Sequence, residues 1–403
     1  MRPCRVLSLS TVFPRPGEPA YGIFVERRLR ALSRLLPVRV VAPVPVIEFR
    51  GGVPRMPCLG VPRRSRSGEL AIDRPPWLYP PGIGTSHAFC LAAQLEARLR
   101  RILHEDPFDL IDAHFGYPEG AAAARLACRL GVPFVVTLRG NEPAHAASPG
   151  KRRQMAGAFQ RAAAIVAVSA GLRDFAISLG AEPQRCVVIG NGVDTAIFYP
   201  RPRAETRARL GMAPDRIHLL SAGYLIPRKG HHRLAALLPA LHAAGVPADL
   251  WIVGGPGREG DIRHELERII RARRLEAHVH LVGPAPPQRL AEFMSACDLF
   301  CLASVREGWP NVVHEAMACG APVVATRVGA VPEMIPGDSF GIVVPPGDDT
   351  ALLDGLLRGL RRSFDREAIA RHAAGRSWDR VAQEVRELFE TILTSHVVPD
   401  SLS

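Results

Sequence analysis

Two glutamates stand seven residues apart in the segment SVREGWPNVVHEAMACGAPVVAT, residues 304–326. A carboxylate accepts hydrogen bonds at both oxygens, so each can hold the vicinal hydroxyls of a sugar ring. Glu307 precedes a predicted helix and Glu315 lies about one turn inside it. A purely structural alternative, in which Glu307 only caps the helix and Glu315 faces solvent, fits the loop equally well.

The residues between these glutamates predict a turn from strand to helix. A strand is expected to end near Ser304, and Gly308 frees the backbone. Pro310 suits the first turn of a helix, and Asn311 or the turn before it could cap that helix. The start of such a helix presents unpaired amides and a positive dipole end, which together attract anions. The segment could therefore hold a phosphate on its amides.

A lysine occupies a similar position in SAGYLIPRKGHHRL, residues 221–234, which also predicts a strand, a loop and a helix. Only two lysines, Lys151 and Lys229, occur among the 51 lysine and arginine residues. The ammonium of Lys229, with Arg228 beside it, can meet a phosphate as a point charge. A solvated surface lysine is the alternative, and the rarity of lysine favours the phosphate.

A third glycine-rich turn, GGPGREG, satisfies the spacing of a dinucleotide-binding fingerprint through Gly255, Gly257 and Gly260. The acidic residue expected about 20 residues later is missing. Pro256 also removes an amide that a pyrophosphate could use. We interpret the stretch as a turn at a strand end, which disfavours a dehydrogenase.

The elements that must position these loops alternate regularly between strand and helix. Short apolar runs such as DLIDAH, PFVVTL and AIVAVS predict buried parallel strands, and a second series runs from RIHLLSAG to GIVVP. The fold class is therefore α/β with two Rossmann-like domains facing across a cleft. We place the first domain at residues 1–196 and the second at 197–376. A final helix at about 377–395 would return to the first domain.

Residues 43–84, rich in Pro, Gly and Arg, are interpreted as a long irregular insertion.

The bulk composition restricts the partners. A net charge of +12 and 6% aromatic content favour an anionic partner over single-stranded nucleic acid, and we expect peripheral contact with an anionic membrane. The eight cysteines form no C-x2-C pair, which predicts reduced thiols in the cytoplasm. No run of about 20 apolar residues and no signal peptide is recognised. We find no cluster of metal ligands and expect no cofactor.

The segments described above resemble the family-4 glycosyltransferases of the GT-B fold. The resemblance covers almost the whole chain and rests on five segments: YGIFVERRLRAL, VSAGLRDFAISLGA, VVIGNGVDTAIFYP, GYLIPRKG and EGWPNVVHEAMACGAPVVAT. The opening residues and TLRGNE are similar to members that build exopolysaccharide of the teichuronic- or colanic-acid kind. The resemblance implies metal-independent transfer of a hexose-type sugar from a nucleotide-sugar, UDP before GDP, with retention, to a glycan or polyprenyl-diphosphate-linked acceptor. It also implies a cytoplasmic protein, peripheral on the inner membrane.

The same resemblance assigns residue roles. Catalytic roles fall to His114, Lys229 and Glu307. The donor-binding residues would be Gly22, Arg228, Lys229, Glu307, Gly308, Pro310, Asn311, Val312 and Glu315. The acceptor-binding residues would be His114, Arg139 and Asn141.

Two departures from the family pattern bear on the charge of the substrates. Tyr224 stands where an arginine is usual, and Arg139 stands where a histidine is usual, which suits an anionic acceptor. Two other functions remain as alternatives: a nucleotide-sugar 2-epimerase on the same fold, and a basic binding protein without catalysis. The first would form products without an acceptor, and the second would bind nucleic acid in a salt-sensitive way.

Overall fold

The computed structural model describes residues 4–50 and 53–396 and divides into two compact units. Unit 1 comprises the described residues up to Asn191 together with those from Trp378 onward, and unit 2 comprises Gly192–Ser377. The division lies slightly before the boundary expected from the Gly-, Pro- and Asn-rich stretch.

Unit 1 is built on an eight-stranded sheet in the order β12-β11-β10-β9-β1-β2-β7-β6. All neighbours pair in parallel except β6 and β7. The strands of unit 1 are β1 (Val6–Leu9), β2 (Val38–Val41), β3 (Val44–Pro45), β4 (Glu48–Arg50), β5 (Val53–Arg55), β6 (Arg64–Ser67), β7 (Leu70–Asp73), β8 (Pro76–Trp77), β9 (Leu110–His114), β10 (Phe134–Leu138), β11 (Ala164–Ala167) and β12 (Cys186–Val188). The helices are α1 (Ile23–Leu32), α2 (His87–Glu105), α3 (Ala121–Leu130), α4 (Glu142–Ala146), α5 (Pro149–Phe159) and α6 (Ala170–Ser178).

The description of residues 43–84 as irregular was wrong. Leu70–Asp73 extends the parallel sheet beside β2, and Arg64–Ser67 adds an antiparallel edge strand. The periodicity is hidden because β6 reads RSRS and lies at the edge, where arginines face water. Two further pairs, β3 with β8 and β4 with β5, complete the segment.

Unit 2 contains a six-stranded parallel sheet in the order β15-β14-β13-β16-β17-β18. The order reverses between β13 and β16, which is the crevice where open α/β sheets bind ligands. Its strands are β13 (Ile217–Ala222), β14 (Ala248–Val253), β15 (Val279–Gly283), β16 (Leu299–Leu302), β17 (Val323–Thr326) and β18 (Gly341–Val344). Its helices are α7 (Arg203–Leu210), α8 (His231–Ala243), α9 (Arg263–Ala272), α10 (Pro287–Ala296), α11 (Asn311–Ala318), α12 (Val331–Met334), α13 (Asp349–Arg361) and α14 (Arg366–Ala374).

Helices cover both faces of each sheet, and the apolar runs of the sequence form the buried layers between them. The final helix, α15 (Trp378–His396), belongs to unit 1 and packs against α1. Its residues Val385 and Phe389 are fully buried in the unit 1 core, which also includes Val25 and Leu29 of α1.

Candidate functional site

Two neighbouring strands of unit 2, β13 and β16, end on the same edge of the sheet because they run parallel. The chain leaving β13 makes a single 3₁₀ turn, Pro227–Lys229, and enters α8. The chain leaving β16 enters α11. The backbone N–H of Val305 donates to the carbonyl of Arg228 at 2.9 Å, so the two loops contact each other.

The rare lysine and the first glutamate of the E-x7-E pair form an ion pair across these loops. Lys229 Nζ lies 2.7 Å from Glu307 Oε1, and the hydroxyl of Ser304 donates to the same oxygen at 2.7 Å. Both charged side chains are about nine-tenths buried, at 11% and 9% exposure. Burial raises the pKa of Glu307, but Lys229, Arg228 and the hydrogen bonds lower it further, so the net direction is down. Glu307 is therefore held as a carboxylate.

Arg228 supplies a second cation beside this pair. Its Nε donates to Glu259 Oε2 at 2.8 Å, and its NH1 lies 3.6 Å from Glu307 Oε2. Glu307 thus lies between two cations, one held closely and one at the limit of an ion pair.

Glycines allow the loops to approach one another. Gly230 has φ 73°, and a Cβ there would lie 2.2 Å from the carbonyl oxygen of Ala303. Gly329, with φ 51°, would place a Cβ 2.3 Å from the oxygen of Gly308. No larger residue fits at either position without moving the backbone that carries Glu307.

Helix α11 begins directly after these contacts. Pro310 is its N-cap rather than a first-turn residue, and Asn311 is the first helical residue, so of the two expected capping positions the cap lies in the turn before Asn311. The first turn closes through the N–H of Val313, which donates to Pro310 at 2.9 Å. Glu315 is 8% exposed, so the alternative that it faces solvent is wrong.

The sequence reasoning did not single out His231, the first residue of α8. Its Nε2 lies 3.2 Å from the carbonyl of Tyr224 and its Nδ1 lies 2.9 Å from the hydroxyl of Ser221. A carbonyl only accepts, so Nε2 carries the proton and Nδ1 accepts. Burial, with Lys229 nearby, lowers the pKa of His231 to about 4. Neutral His231 therefore connects the loop that carries Lys229, through Tyr224, to Ser221 of β13.

A different polar cluster lies at the carboxyl ends of β1, β9 and β10 in unit 1. His114, the last residue of β9, is fully buried. Its Nδ1 lies 2.9 Å from the guanidinium of Arg139, and its Nε2 lies 3.0 Å from Ser8 Oγ and 3.2 Å from Asp112 Oδ2. Arginine only donates, so Nδ1 accepts and Nε2 carries the proton. Burial, opposed by Asp112, lowers the pKa of His114 to about 4.

Arg139 connects His114 to Asn191 in this cluster. It is 8% exposed, and its NH1 donates to Asn191 Oδ1 at 2.7 Å. The ring of Phe24 lies 5.4 Å from its guanidinium carbon. Each terminal nitrogen has one partner within unit 1, whereas the buried Nε donates to no group in the described part of the chain.

Asp112 balances the buried positive charge. It lies 3.7 Å from Arg28, which donates to Thr137 at 2.9 Å. Burial raises the pKa of Asp112, but His114, Arg28 and Arg139 lower it further, so the pKa lies well below its usual range. The signal that could have revealed Asp112 is a charged residue inside the apolar strand LIDAH.

Two features shape the loop that follows β1. Gly22, the N-cap of α1 with φ 72°, would place a Cβ 2.3 Å from the oxygen of Val12. Glu119 accepts from the N–H of Thr11 at 2.8 Å and from its hydroxyl at 2.6 Å. Burial raises the pKa of Glu119 to about 7. The sequence reasoning also missed Glu119.

Comparison with known proteins assigns the chain to a family. Residues 23–197 match the model described as Glycosyltransferase Family 4, and residues 202–376 match the model described as Glycosyl transferases group 1. The chain is 32% identical to the D-inositol 3-phosphate glycosyltransferase of Acidothermus cellulolyticus, over 75% of this chain and 72% of that one. The chain is a family-4 glycosyltransferase.

Another relative of this glycosyltransferase is TuaC of Bacillus subtilis, described as a teichuronic acid biosynthesis glycosyltransferase. It is 27% identical over 88% of each chain. Two solved structures share the fold. Sucrose-phosphate synthase from Thermosynechococcus elongatus has a TM-score of 0.76 at 20% identity, covering 97% of this chain and 100% of that one. HepE from Anabaena, in complex with UDP, has a TM-score of 0.74 at 21% identity, covering 96% and 100%. The predicted GT-B fold class is confirmed.

The site residues predicted for the glycosyltransferase fall into two groups. Unit 2 brings together Arg228, Lys229, Glu307, Gly308, Pro310, Asn311, Val312 and Glu315 on two adjacent loops and one helix. Unit 1 carries Gly22, His114, Arg139 and Asn141. Of these, His114 and Arg139 contact each other, whereas Asn141 is exposed at the start of α4. The catalytic and binding roles of these residues stay predictions.

Within 4–50 and 53–396, no group of three or more His, Cys, Asp or Glu side chains is arranged to hold a metal ion. No helix in the same part of the chain has the length and apolar character needed to cross a membrane.

Proposed function

We propose that this glycosyltransferase moves a hexose-type sugar from a nucleotide-sugar, UDP-linked in preference to GDP-linked, to an acceptor hydroxyl in polysaccharide biosynthesis. The acceptor is a glycan or a polyprenyl-diphosphate-linked sugar, and the anomeric configuration is retained. Support for the donor comes from HepE, whose structures contain UDP, UDP with glucose, and UDP-glucose. Support for the pathway comes from the similarity to TuaC.

The Lys229–Glu307 ion pair is the observation that carries the proposal. A buried ammonium needs an anionic partner, and Glu307 supplies one at 2.7 Å. A donor diphosphate offers a more highly charged partner at the same position. Glu307 would then turn its oxygens to the hydroxyls of the transferred sugar, while Glu315 takes the ribose.

Charge stabilisation of the leaving diphosphate follows from the same residues. As the sugar C–O bond breaks, negative charge grows on the diphosphate oxygens. Lys229, Arg228 and the amides at the start of α11 are positioned to meet that charge without large reorganisation. In this proposal the side chains and amides neutralise the phosphate, and the reaction needs no divalent cation.

The proton and the new bond are balanced by the substrates themselves. The acceptor oxygen bonds to the anomeric carbon from the face that the diphosphate leaves, and its hydroxyl proton passes to the departing phosphate oxygen. His114 is a poor base for this step because Arg139 occupies Nδ1 and Nε2 already carries the proton. We therefore assign His114 a supporting role below the reacting groups.

Recognition of the acceptor is assigned to unit 1. Asn141 is exposed at the N-cap of α4 and can donate or accept. Arg139 lies two residues before it and contributes positive charge from the interior. That charge suits an anionic acceptor, and we place the reaction in the cytoplasm at the inner surface of the membrane.

Calorimetric titration of UDP, GDP, ADP and NAD into the wild type, Lys229→Ala and Lys151→Ala tests the donor assignment. Lys151 is the other lysine of the chain and lies against the ring of Tyr117 at 5.5 Å, which makes it a matched control. We expect UDP to bind the wild type and Lys151→Ala and to bind Lys229→Ala at least tenfold more weakly. Equal binding of UDP by both alanine variants, or a preference for NAD, would overturn the proposal.

A further inference from the structure

The exposed apolar side chains of this protein are concentrated in one segment. Thirteen large hydrophobic residues are exposed among the described residues, and eight of them fall between Ile47 and Phe89. Soluble proteins scatter such residues singly, so a concentration marks a contact surface. The segment is the one whose strands the sequence did not reveal, and no step of the proposed reaction uses it.

The centre of the segment is the hairpin of β4 and β5. Phe49 pairs with Pro54, and residues directly opposite one another share a face of the hairpin. Side chains alternate along a strand, so Ile47 and Met56 continue the same face beyond the paired residues. Ile47, Phe49 and Met56 are 42%, 51% and 50% exposed. One face of the hairpin is therefore apolar and open.

Neighbouring residues extend this face. The thiol of Cys58 lies 3.8 Å from the carbonyl of Val46, which brings the next residue, Leu59, back towards the base of the hairpin. The N–H of Val46 donates to Trp77 at 3.0 Å, and Leu78 follows Trp77. Leu59 and Leu78 are 68% and 55% exposed. We call these five exposed side chains, Ile47, Phe49, Met56, Leu59 and Leu78, the hairpin patch.

The charges around the hairpin patch are mainly positive. Residues 44–89 contain six arginines and three acidic residues. Two of the acids are engaged: Glu48 pairs with Arg15 at 3.4 Å, and Asp73 is buried against Arg39 at 2.9 Å. The exposed basic residues are Arg55, Arg63, Arg64 and Arg66. Apolar side chains in a segment rich in exposed arginines are suited to the interface of an anionic bilayer, where rings and alkyl groups enter the headgroup layer and guanidinium groups meet phosphates.

We propose that the hairpin patch of unit 1 docks on the surface of an anionic lipid bilayer. The inference rests on the proposed function, because a lipid-linked acceptor presents its sugar at that surface. Docking through unit 1 also gives the net charge of +12 a role that the donor site alone does not require.

The test is flotation of the full chain with vesicles of phosphatidylcholine alone and of phosphatidylcholine with about one-third phosphatidylglycerol. We expect binding to the anionic vesicles, weak binding to the neutral ones, and loss of binding in about 1 M salt, where the screening length falls to about 3 Å. Failure of the wild type to bind anionic vesicles would overturn the proposal.

Two pairs of variants assign the binding to the patch. Phe49→Ser with Leu59→Ser should weaken vesicle binding about tenfold or more, because both side chains lose their apolar insertion. Leu35→Ser with Val188→Ser is the matched control, since these side chains are exposed in unit 1 outside the patch, at 38% and 37%. Equal loss in both double variants would remove the patch from the interaction.

Charge is tested in the same way. Arg55→Gln with Arg63→Gln should weaken binding about 30-fold, at roughly 1 kcal/mol for each arginine near the surface. Arg268→Gln with Arg273→Gln removes two exposed arginines of unit 2 and should leave binding unchanged. A uniform loss in both would indicate net charge alone and would overturn the assignment to the patch.

Two controls separate this inference from the others. UDP titration into Phe49→Ser with Leu59→Ser should match the wild type, so a failure of donor binding in all variants would count against the proposed function instead. Sedimentation of the wild type without vesicles tests a second copy of the chain as occupant. A dimer that the serine variant abolishes would overturn the bilayer proposal.

Discussion

The two units carry charged clusters at the same place, the carboxyl ends of parallel strands, yet the clusters differ in how their partners are arranged. In unit 2, Lys229 and Glu307 retain some exposure and are held by one another. In unit 1, His114 and Asp112 are completely buried, and Arg139 contributes donors to two partners at once.

The arrangement in unit 2 is suited to binding a ligand, and the arrangement in unit 1 is suited to supporting the fold. An ion pair with partial access to water can exchange one partner for a ligand of the same charge. A buried network with most of its donors and acceptors engaged resists such exchange because each broken contact leaves a desolvated group. We therefore expect substitutions of Lys229 and Glu307 to change substrate binding and turnover. Substitutions in the buried cluster of His114, Asp112 and Arg139 should change stability and geometry.

The largest expected effect is that of Lys229→Ala on turnover. Under the proposed function Lys229 meets the leaving diphosphate, so its loss should lower kcat/KM about 100- to 1,000-fold, as for other preorganised charge-stabilising groups. Steady-state assay with a nucleotide-sugar and a lipid-linked acceptor measures it. Lys151→Ala should stay within about twofold of the wild type, and a Lys229→Ala enzyme with near-normal kcat/KM would contradict the comparison.

Glu307→Gln should separate binding from chemistry. Without the carboxylate, Lys229 has no competing anion, so UDP should bind as tightly as in the wild type or more tightly. Turnover should fall about 100-fold because the charged acceptor of the sugar hydroxyls is lost. Parallel calorimetry with UDP and kinetics with the full donor check the split. A matched loss of UDP affinity and turnover would instead make Glu307 a structural support for the loop.

How far the sequence anticipates the structure depends on the kind of residue. Alternating apolar runs identify every strand of the unit 2 sheet, because buried parallel strands are continuous and apolar. The edge strand RSRS was missed because exposure removes that signal. Lys229 and Glu307 were recognised from motif and rarity. Their ion pair, and the links of Glu119 to Thr11 and of His231 to Tyr224, depend on contacts between separate loops that spacing along the chain does not encode.

Acidification should affect the two units differently. In unit 2, burial lowers the pKa of His231 and of His314 to about 4. As the pH falls below about 6.5, the unfolded chain binds these protons before the folded chain does. The contribution of the two histidines to the unfolding free energy of unit 2 is therefore lost between about pH 6.5 and 4. From pH 7 to pH 5 the two histidines should cost unit 2 about 4 kcal/mol of unfolding free energy.

In unit 1, two buried groups change the unfolding free energy in opposite directions as the pH falls. His114 loses stability on acidification in the same window, whereas Glu119, with its pKa raised to about 7, holds its proton in the folded state and gains stability as the pH falls. The two effects nearly cancel between pH 7 and pH 5.

Hydrogen exchange in urea, read from peptides of each unit, measures the difference. His314→Gln should remove about half of the loss that His231 and His314 together cause in unit 2. Glu119→Gln should make unit 1 acid-sensitive. Equal acid sensitivity of the two wild-type units would contradict the assignment.

The smallest effect is expected from Arg139→Lys, which keeps the charge of the unit 1 cluster but not its geometry. One ammonium cannot reach Asn191 and His114 in the same directions as the planar guanidinium. We expect at most about a tenfold loss of kcat/KM with UDP affinity unchanged, since the donor residues of unit 2 are untouched. Nitrogen NMR of the His114 ring should show protonated Nε2 and bare Nδ1 in the wild type, and mixed tautomers in the variant. If the tautomer stays fixed in Arg139→Lys, then Asp112 and Ser8 hold His114 alone, and the arginine instead serves the charge of the acceptor.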